Sequence, residues 1–150
     1  MPIGDVCVRD VVIAGPEMTV HQAAALMAKH HVGNLVVARE EPGGFVVPIG
    51  IITDRDIVRN VVAEKLDPAS FTLGDLGARD LVTAWEDQGI FECIREMRIN
   101  GIRRMPVVDR RGGLVGIISL DDLVQLLAEE MGELAKLITR EQAHEVTVSG

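Results

Sequence analysis

The chain repeats itself, and the repeat limits what it can fold into. Val8-Arg9-Asp10-Val11-Val12 lies over Ala78-Arg79-Asp80-Leu81-Val82 at an offset of 70. The offset holds for Val20 on Ile90, Ala23 on Cys93, Met27 on Met97, Val32 on Ile102, Leu35 on Met105 and Val37 on Val107. Gly50-Ile51-Ile52-Thr53 then matches Gly116-Ile117-Ile118-Ser119 at an offset of 66, so the first copy holds four extra residues between the blocks. Those fall in the loop Glu40-Glu41-Pro42-Gly43-Gly44, opposite the tighter Asp109-Arg110-Arg111-Gly112-Gly113. Insertions are tolerated in loops. Each copy is too small to bury its own sheet well, so the two are expected to pack as one unit.

Hydrophobic spacing gives both copies the same order of elements. A short strand (Val11 to Ala14; Leu81 to Thr83) precedes a helix (Val20 to His30; Gly89 to Ile99) whose apolar residues have helical spacing. Two apolar strands follow as a hairpin, Asn34 to Ala38 with Pro48 to Thr53 and Arg104 to Asp109 with Leu114 to Ser119. A second helix closes each copy, from Asp54 to about Ala63 and from Leu120 to about Ile138. Asp67-Pro68-Ala69-Ser70 reads as the linker. The fold class is α/β of the α+β type, with repeats at 4–66 and 67–131 and a C-terminal helix and tail at 132–150.

The 150 residues are 47% hydrophobic but only 3% aromatic, so the core must be aliphatic. No apolar run reaches the ~20 residues of a membrane span. Met1-Pro2-Ile3-Gly4-Asp5 has no basic region leading into an apolar stretch, so no signal peptide is expected. The net charge of -8 disfavours nucleic acid. Cys7 and Cys93 form no C-x-x-C pattern and read as reduced thiols, which fits the cytoplasm. His21, His30, His31 and His144 have no metal-ligand spacing, so no metal site is expected. Neither phosphate-cradling glycine motif is present. Ser119 has no evident base, and Cys93 aligns with Ala23 on a helix's inner face, so no catalytic residue is assigned.

Two hydroxyl-x-x-Asp junctions, Thr53-x-x-Asp56 and Ser119-x-x-Asp122, sit where a strand becomes a helix. One reading is structural: each is a capping box, with hydroxyl and carboxylate satisfying helix-end amides. The other is functional. A carboxylate at a strand end can accept hydrogen bonds from both hydroxyls of a ribose. The hydroxyl and first-turn amides can then meet a phosphate, if a cation lies nearby.

The duplicated β-α-β-β-α order, with Gly50-Ile51-Ile52-Thr53-Asp54-Arg55-Asp56, Gly116-Ile117-Ile118-Ser119-Leu120-Asp121-Asp122 and Arg103-Arg104-Met105-Pro106-Val107-Val108-Asp109, resembles a tandem pair of cystathionine-β-synthase-type (CBS) domains. The likeness covers residues 4–131 and is nearest to small stand-alone bacterial members of the family. It implies a pseudo-twofold module, a homodimer, and clefts between the repeats that take adenosine-containing ligands. AMP, ADP, ATP, S-adenosylmethionine and NAD(H) are the candidates, none as a required cofactor. By the family pattern one cleft joins Val82, Thr83 and Arg104 to Thr53 and Asp56. The other joins Val12, Ile13 and Asn34 to Ser119 and Asp122. Asn34 aligns with Arg104, so the second cleft lacks the guanidinium fork that suits phosphate and is the weaker of the two. Most of the arginines from Arg95 to Arg111 read as a solvated face.

Trp85 replaces Gly15 beyond the first strand, either to shield a cleft or to fill a dimer contact. Leu120, Leu123, Val124, Leu127, Met131, Leu134 and Ile138 mark a stripe that outruns the repeat, so the last helix is expected to pair with another subunit. The alternative is a tail folded back on its own domain. Gly132 interrupts the stripe, and the residues from about Ala143 are expected to be mobile. Three functions follow, in order of support: a ligand-sensing regulatory module acting on an unknown protein target, a ligand-free interaction module, and an enzyme.

Overall fold

Thr19 caps the first helix, α1 (Val20–His30), by a reciprocal box: its hydroxyl accepts from the Gln22 amide and the Gln22 side chain accepts from the Thr19 amide. Val20, Ala23 and Met27 are buried along one face. The second repeat buries Ile90, Cys93 and Met97 at the same places on α3 (Ile90–Asn100). Both helices end in a left-handed residue, His31 (φ 53°) and Gly101 (φ 63°). The structure, a computed structural model, describes residues 1–77 and 81–149, with side chains through His144. Ala78-Arg79-Asp80 of the repeat alignment and Gly150 lie outside the described residues.

Among the described residues, six strands form two three-stranded sheets. β1 (Ile13–Ala14), β2 (Asn34–Glu41) and β3 (Phe45–Thr53) make one, and β4 (Ala84–Trp85), β5 (Arg104–Val108) and β6 (Leu114–Ser119) the other. β1 runs parallel to β2, β4 parallel to β5, and β2 antiparallel to β3. The mixed architecture with a duplicated order is the one expected from the sequence.

Several boundaries differ from expectation: β1 begins at Ile13 and not at Val11, and three further differences have a visible reason. The four extra residues of the first repeat do not lengthen a loop. They extend the hairpin, so that Glu40 and Glu41 pair with Val46 and Phe45, and Gly43 (φ 103°) and Gly44 (φ 81°) make the turn. A bulge between Val37 and Ala38, beside Pro48, absorbs the misfit. In the second repeat the first strand is Ala84–Trp85 and not Leu81–Thr83. Val36 N–H donates to the Val12 carbonyl at 3.1 Å, and the residue equivalent to Val36 is Pro106, which has no N–H to give Val82. Finally, α2 (Asp54–Ile57) passes into a π-helical turn (Val58–Val62), while α4 runs from Leu120 to Ser149, so the backbone stays helical where a tail was expected.

The repeats are joined by an exchange of their leading segments. Ile3 N–H donates to Gln88 O (2.7 Å) and Gly4 N–H to Glu86 O (2.8 Å). The equivalent bonds run the other way, from Leu73 N–H to Met18 O (2.8 Å) and Gly74 N–H to Pro16 O (2.9 Å). Bridges Pro2–Gly89 and Thr19–Thr72 complete the two contacts. Ile3 is fully buried, and Leu73 sits in the first repeat's core with Ala14, Val20, Ala23, Leu35 and Val61. The N-terminal segment continues to the edge of the second sheet. There Val8 and Ile117 exchange two 2.9 Å backbone bonds, and a Cβ on Gly116 would lie 2.6 Å from Val8 O and 2.7 Å from Cys7 Sγ.

By contact, the chain divides into Met1–Ile118 and Ser119–Gly150. The first unit holds both sheets and α1 to α3; the second is α4 with its capping residue. Among the described residues no helix is long and apolar enough to cross a membrane.

Burial pushes the Cys93 thiol up to about 11, with Glu92 and Glu96 adding to the shift, and burial also raises Cys7. Only the thiolate reacts readily. In native protein at pH 8, Cys93 should therefore resist iodoacetamide and become labelled only on unfolding, as peptide mass spectrometry would show. Ile3→Ala and Leu73→Ala should each cost about 2–5 kcal/mol in denaturant unfolding while keeping one cooperative transition, because each is a buried side chain in a segment bonded to the other repeat. Gly116→Ala should cost about 1–3 kcal/mol in the same assay, since backbone and sulfur must move to admit the methyl.

Candidate functional site

Both junctions are capping boxes. Thr53 Oγ1 accepts from Asp56 N–H (3.1 Å) and Asp56 Oδ2 accepts from Thr53 N–H (2.9 Å). In the second unit Ser119 Oγ accepts from Asp122 N–H (3.1 Å), and Asp122 Oδ2 accepts from both the Ser119 amide (3.2 Å) and the Ser119 hydroxyl (2.8 Å). All four side chains are half-buried. The structural reading of these motifs is therefore met, and any ligand must share groups that already hold a helix end.

The first turn of α2 has no spare amide for a phosphate. Thr53 N–H goes to Asp56, Asp54 N–H to Gly33 O (2.9 Å), Arg55 N–H to Asp54 Oδ1 (2.8 Å) and Asp56 N–H to Thr53 Oγ1. An anion at this junction would need another donor. The Asp56 carboxylate is different, because a carboxylate has about four acceptor sites and can serve a cap and a ligand together.

The remaining expected site residues lie on sheet ends. Asn34 opens β2 and is the register partner of Thr53, so the first repeat's polar residue and its hydroxyl junction share one end of the sheet. Val12 precedes β1 and gives its carbonyl to Val36, while Ile13 pairs with Val36 in register. Arg104 opens β5, half-buried; among the described residues its guanidinium makes no hydrogen bond or ion pair. Val82 and Thr83 are half-buried ahead of β4, and among the described residues the Val82 carbonyl receives no backbone bond.

Sequence reasoning missed the part played by Pro106. Pro106 stands within Arg103–Asp109, but only the β1–β2 register shows that proline there withdraws a donor from Val82. Nor does the sequence signal a cavity of about 110 Å³ lined by Trp85, Glu86, Asp87, Val108, Asp109 and Arg110. Trp85, 49% exposed, lies within β4 and not beyond it, and its amide donates to Gln88 Oε1 (2.6 Å). Next to this cavity the Arg111 guanidinium holds the Asp109 carboxyl below the usual carboxylate range and lies 4.4 Å from the Phe45 ring centroid. The lengthened hairpin of the first repeat thereby reaches the turn of the second. Among the described residues, no group of three or more His, Cys, Asp and Glu is placed to hold a metal ion.

Comparison with known proteins gives these features a context. An uncharacterised protein of Methanopyrus kandleri is 36% identical over 83% of this chain and 61% of its own length. A mitochondrial CBS domain-containing protein of Arabidopsis thaliana, CBSX3, is 32% identical over 77% of this chain and 55% of its own. The chain thus spans little more than half the length of these relatives. The CBS domain-containing protein YhcV of Bacillus subtilis is 29% identical over 95% of this chain and 98% of its own. Among solved structures, the CBS domain pair of protein MJ0100, in complex with 5′-methylthioadenosine and S-adenosyl-L-methionine, superposes with a TM-score of 0.72 at 25% identity, covering 87% of this chain and 98% of that one. Hypoxic Response Protein I, with two coordinated zinc ions, superposes with a TM-score of 0.71 at 31% identity, covering 83% of this chain and 98% of that one. The CBS domain model matches residues 3–63 and again 73–129, and the chain belongs to the CBS-domain family as a tandem pair.

Proposed function

We propose that the chain is a regulatory module that binds an adenosine-containing ligand between its repeats, in the cleft formed by Thr53, Asp56, Val82, Thr83 and Arg104. One observation carries the choice of cleft: Pro106 leaves the Val82 carbonyl without the ladder bond that Val36 gives Val12. A carbonyl with no backbone donor among the described residues, beside apolar strand residues, suits the exocyclic amine of adenine. Asp56 would take the ribose hydroxyls, and Arg104 any phosphate or carboxylate, since the first-turn amides are spent. The MJ0100 domain pair, with its two adenosine-derived ligands, supports this chemistry class. AMP, ADP, ATP, S-adenosylmethionine and NAD(H) all offer the same adenosine end.

A ligand that touches both repeats favours the arrangement in which they are correctly spaced, and that population shift is the signal to a protein target. The module itself performs no chemistry on this reading, and it acts in the cytoplasm. The equivalent first-repeat residues Val12, Ile13 and Asn34 would suit a nucleotide less, because the Val12 carbonyl is already bonded and Asn34 stands in place of an arginine.

Thermal melting against AMP, ADP, ATP, S-adenosylmethionine, 5′-methylthioadenosine and NAD(H) tests the proposal. A ligand at 100 times its Kd should add about 2.7 kcal/mol of stability. Asp56→Ala also removes a cap worth about 0.5–2 kcal/mol, so its binding should be read by calorimetry well below the melt. Asp56→Ala and Arg104→Ala should each abolish binding of the responding nucleotide, whereas Asp122→Ala should not. Pro106→Val restores an N–H facing Val82 and should weaken binding roughly 2- to 12-fold, the equivalent of one neutral hydrogen bond. Silence from every ligand would defeat the sensing role, and a response indifferent to both Asp56→Ala and Arg104→Ala would defeat the choice of cleft.

A further inference from the structure

We propose that α4 is a self-association element, pairing with α4 of a second copy as an antiparallel two-stranded coil. The proposal is independent of the ligand reading above. Leu120, Val124, Leu127, Met131, Leu134 and Ile138 recur at alternating steps of four and three. That is the 3.5-residue period of a coiled-coil seam, narrower than the stripe of a helix packed on a globular core. The helix spans 30 residues, about 45 Å. Leu123 is buried and Leu127 half-buried, but most of the seam is open to solvent: Val124 is 58% exposed, Met131 66%, Leu134 58% and Ile138 57%, with Leu137 beside them at 61%. An amphipathic helix gains most of its stability from burying such a seam and little from propensity.

The seam and its charges select the occupant. Read backwards from a centre between Gly132 and Glu133, the stripe meets itself. Met131 faces the partner's Leu134 and Leu127 faces the partner's Ile138, and the twofold axis repeats both contacts. Ala128 and Ala135 flank the seam, and small side chains there let two helices approach closely. The first half of the helix carries Asp121, Asp122, Glu129, Glu130 and Glu133 with no basic residue, while from Leu134 to His144 it carries Lys136 and Arg140 against Glu141. A parallel pair would lay the acidic half on its own copy. The antiparallel pair lays it over the half with the two cations, bringing Glu129 level with the partner's Lys136, a pairing that lowers repulsion and fixes orientation.

The test uses the full chain. Sedimentation or light scattering across the micromolar range should find the dimer mass. Met131→Glu with Leu134→Glu should raise the dimer dissociation constant about 100-fold or more while leaving the helical circular dichroism of the rest intact. Orientation is read by mild oxidation, with the unsubstituted chain as control. Mixed Val124→Cys and Glu141→Cys chains should form a mixed disulfide. Val124→Cys alone should not, because antiparallel copies hold those positions about 25 Å apart along the axis at 1.5 Å per residue. A monomer throughout that range would overturn the proposal. So would a dimer untouched by the double substitution, which would lie on another face, or a disulfide from Val124→Cys alone, which would mean a parallel pair.

Discussion

Ile3 and Leu73 each leave the repeat they begin and are buried against the other one. Burying such a side chain contributes about 1.5–3 kcal/mol, and two backbone bonds accompany each of them. Leu73 fills space among Ala14, Val20, Leu35 and Val61, so the first repeat's core is incomplete until the second has begun. This reciprocal contact is the constraint on which the rest depends. Three-stranded sheets with one two-residue strand each are marginal alone. Joined by the exchange, they form one cooperative body, and residues distant in sequence acquire fixed relative positions.

The exchange is symmetric, but what surrounds it is not. The four extra residues of the first repeat go into strand, lengthening the β2–β3 hairpin until Phe45 lies under Arg111, with Phe45 Cδ2 only 3.1 Å from where a Cβ on Gly113 would be. An alanine at Gly113 would also stand 3.1 Å from Asp109 Oδ2, so the second repeat's turn is shaped to its neighbour as well as to itself. The first repeat has thus gained a contact with the turn of the second through Phe45.

Much of this was legible in the sequence because the duplication reads every element twice. The helical positions Val20, Ala23 and Met27 over Ile90, Cys93 and Met97 fixed α1 and α3, and the hydroxyl-x-x-Asp boxes fixed the starts of α2 and α4. What escaped depends on contacts between residues remote in sequence. Ile3 and Leu73 have no local signature of crossing over. Leu81–Thr83 looks like a strand on β-propensity alone, and only the parallel register with Pro106 shows why pairing starts one residue later. The extra residues at Glu40–Gly44 contain a proline and two glycines, so a loop was the natural reading, yet the bulge beside Pro48 keeps the ladder running beyond it. The candidate site was legible as a set of residues, but the occupied state of the first-turn amides was not.

Those occupied amides change how an anion would be held. In many nucleotide folds a helix N-terminus supplies backbone donors to phosphate. Here the equivalent donors are bound to Asp56, Gly33, Asp54 and Thr53, so α2 offers a carboxylate and hydroxyl where a phosphate would want N–H groups. The asymmetry between the repeats bears on the same point. At the positions of Asn34 and Val36 the second repeat carries Arg104 and Pro106, two residues apart on one strand. Among the described residues, one change adds a cation free of any partner and the other removes a donor, leaving the Val82 carbonyl without a backbone bond. For stability alone neither is useful, since an arginine at a strand end loses side-chain freedom and a missing ladder bond costs about 0.5–1.5 kcal/mol. Together they place a donor suited to an anionic group and an acceptor suited to an amine on one strand, which is the pairing that the proposed adenosine-containing ligand requires.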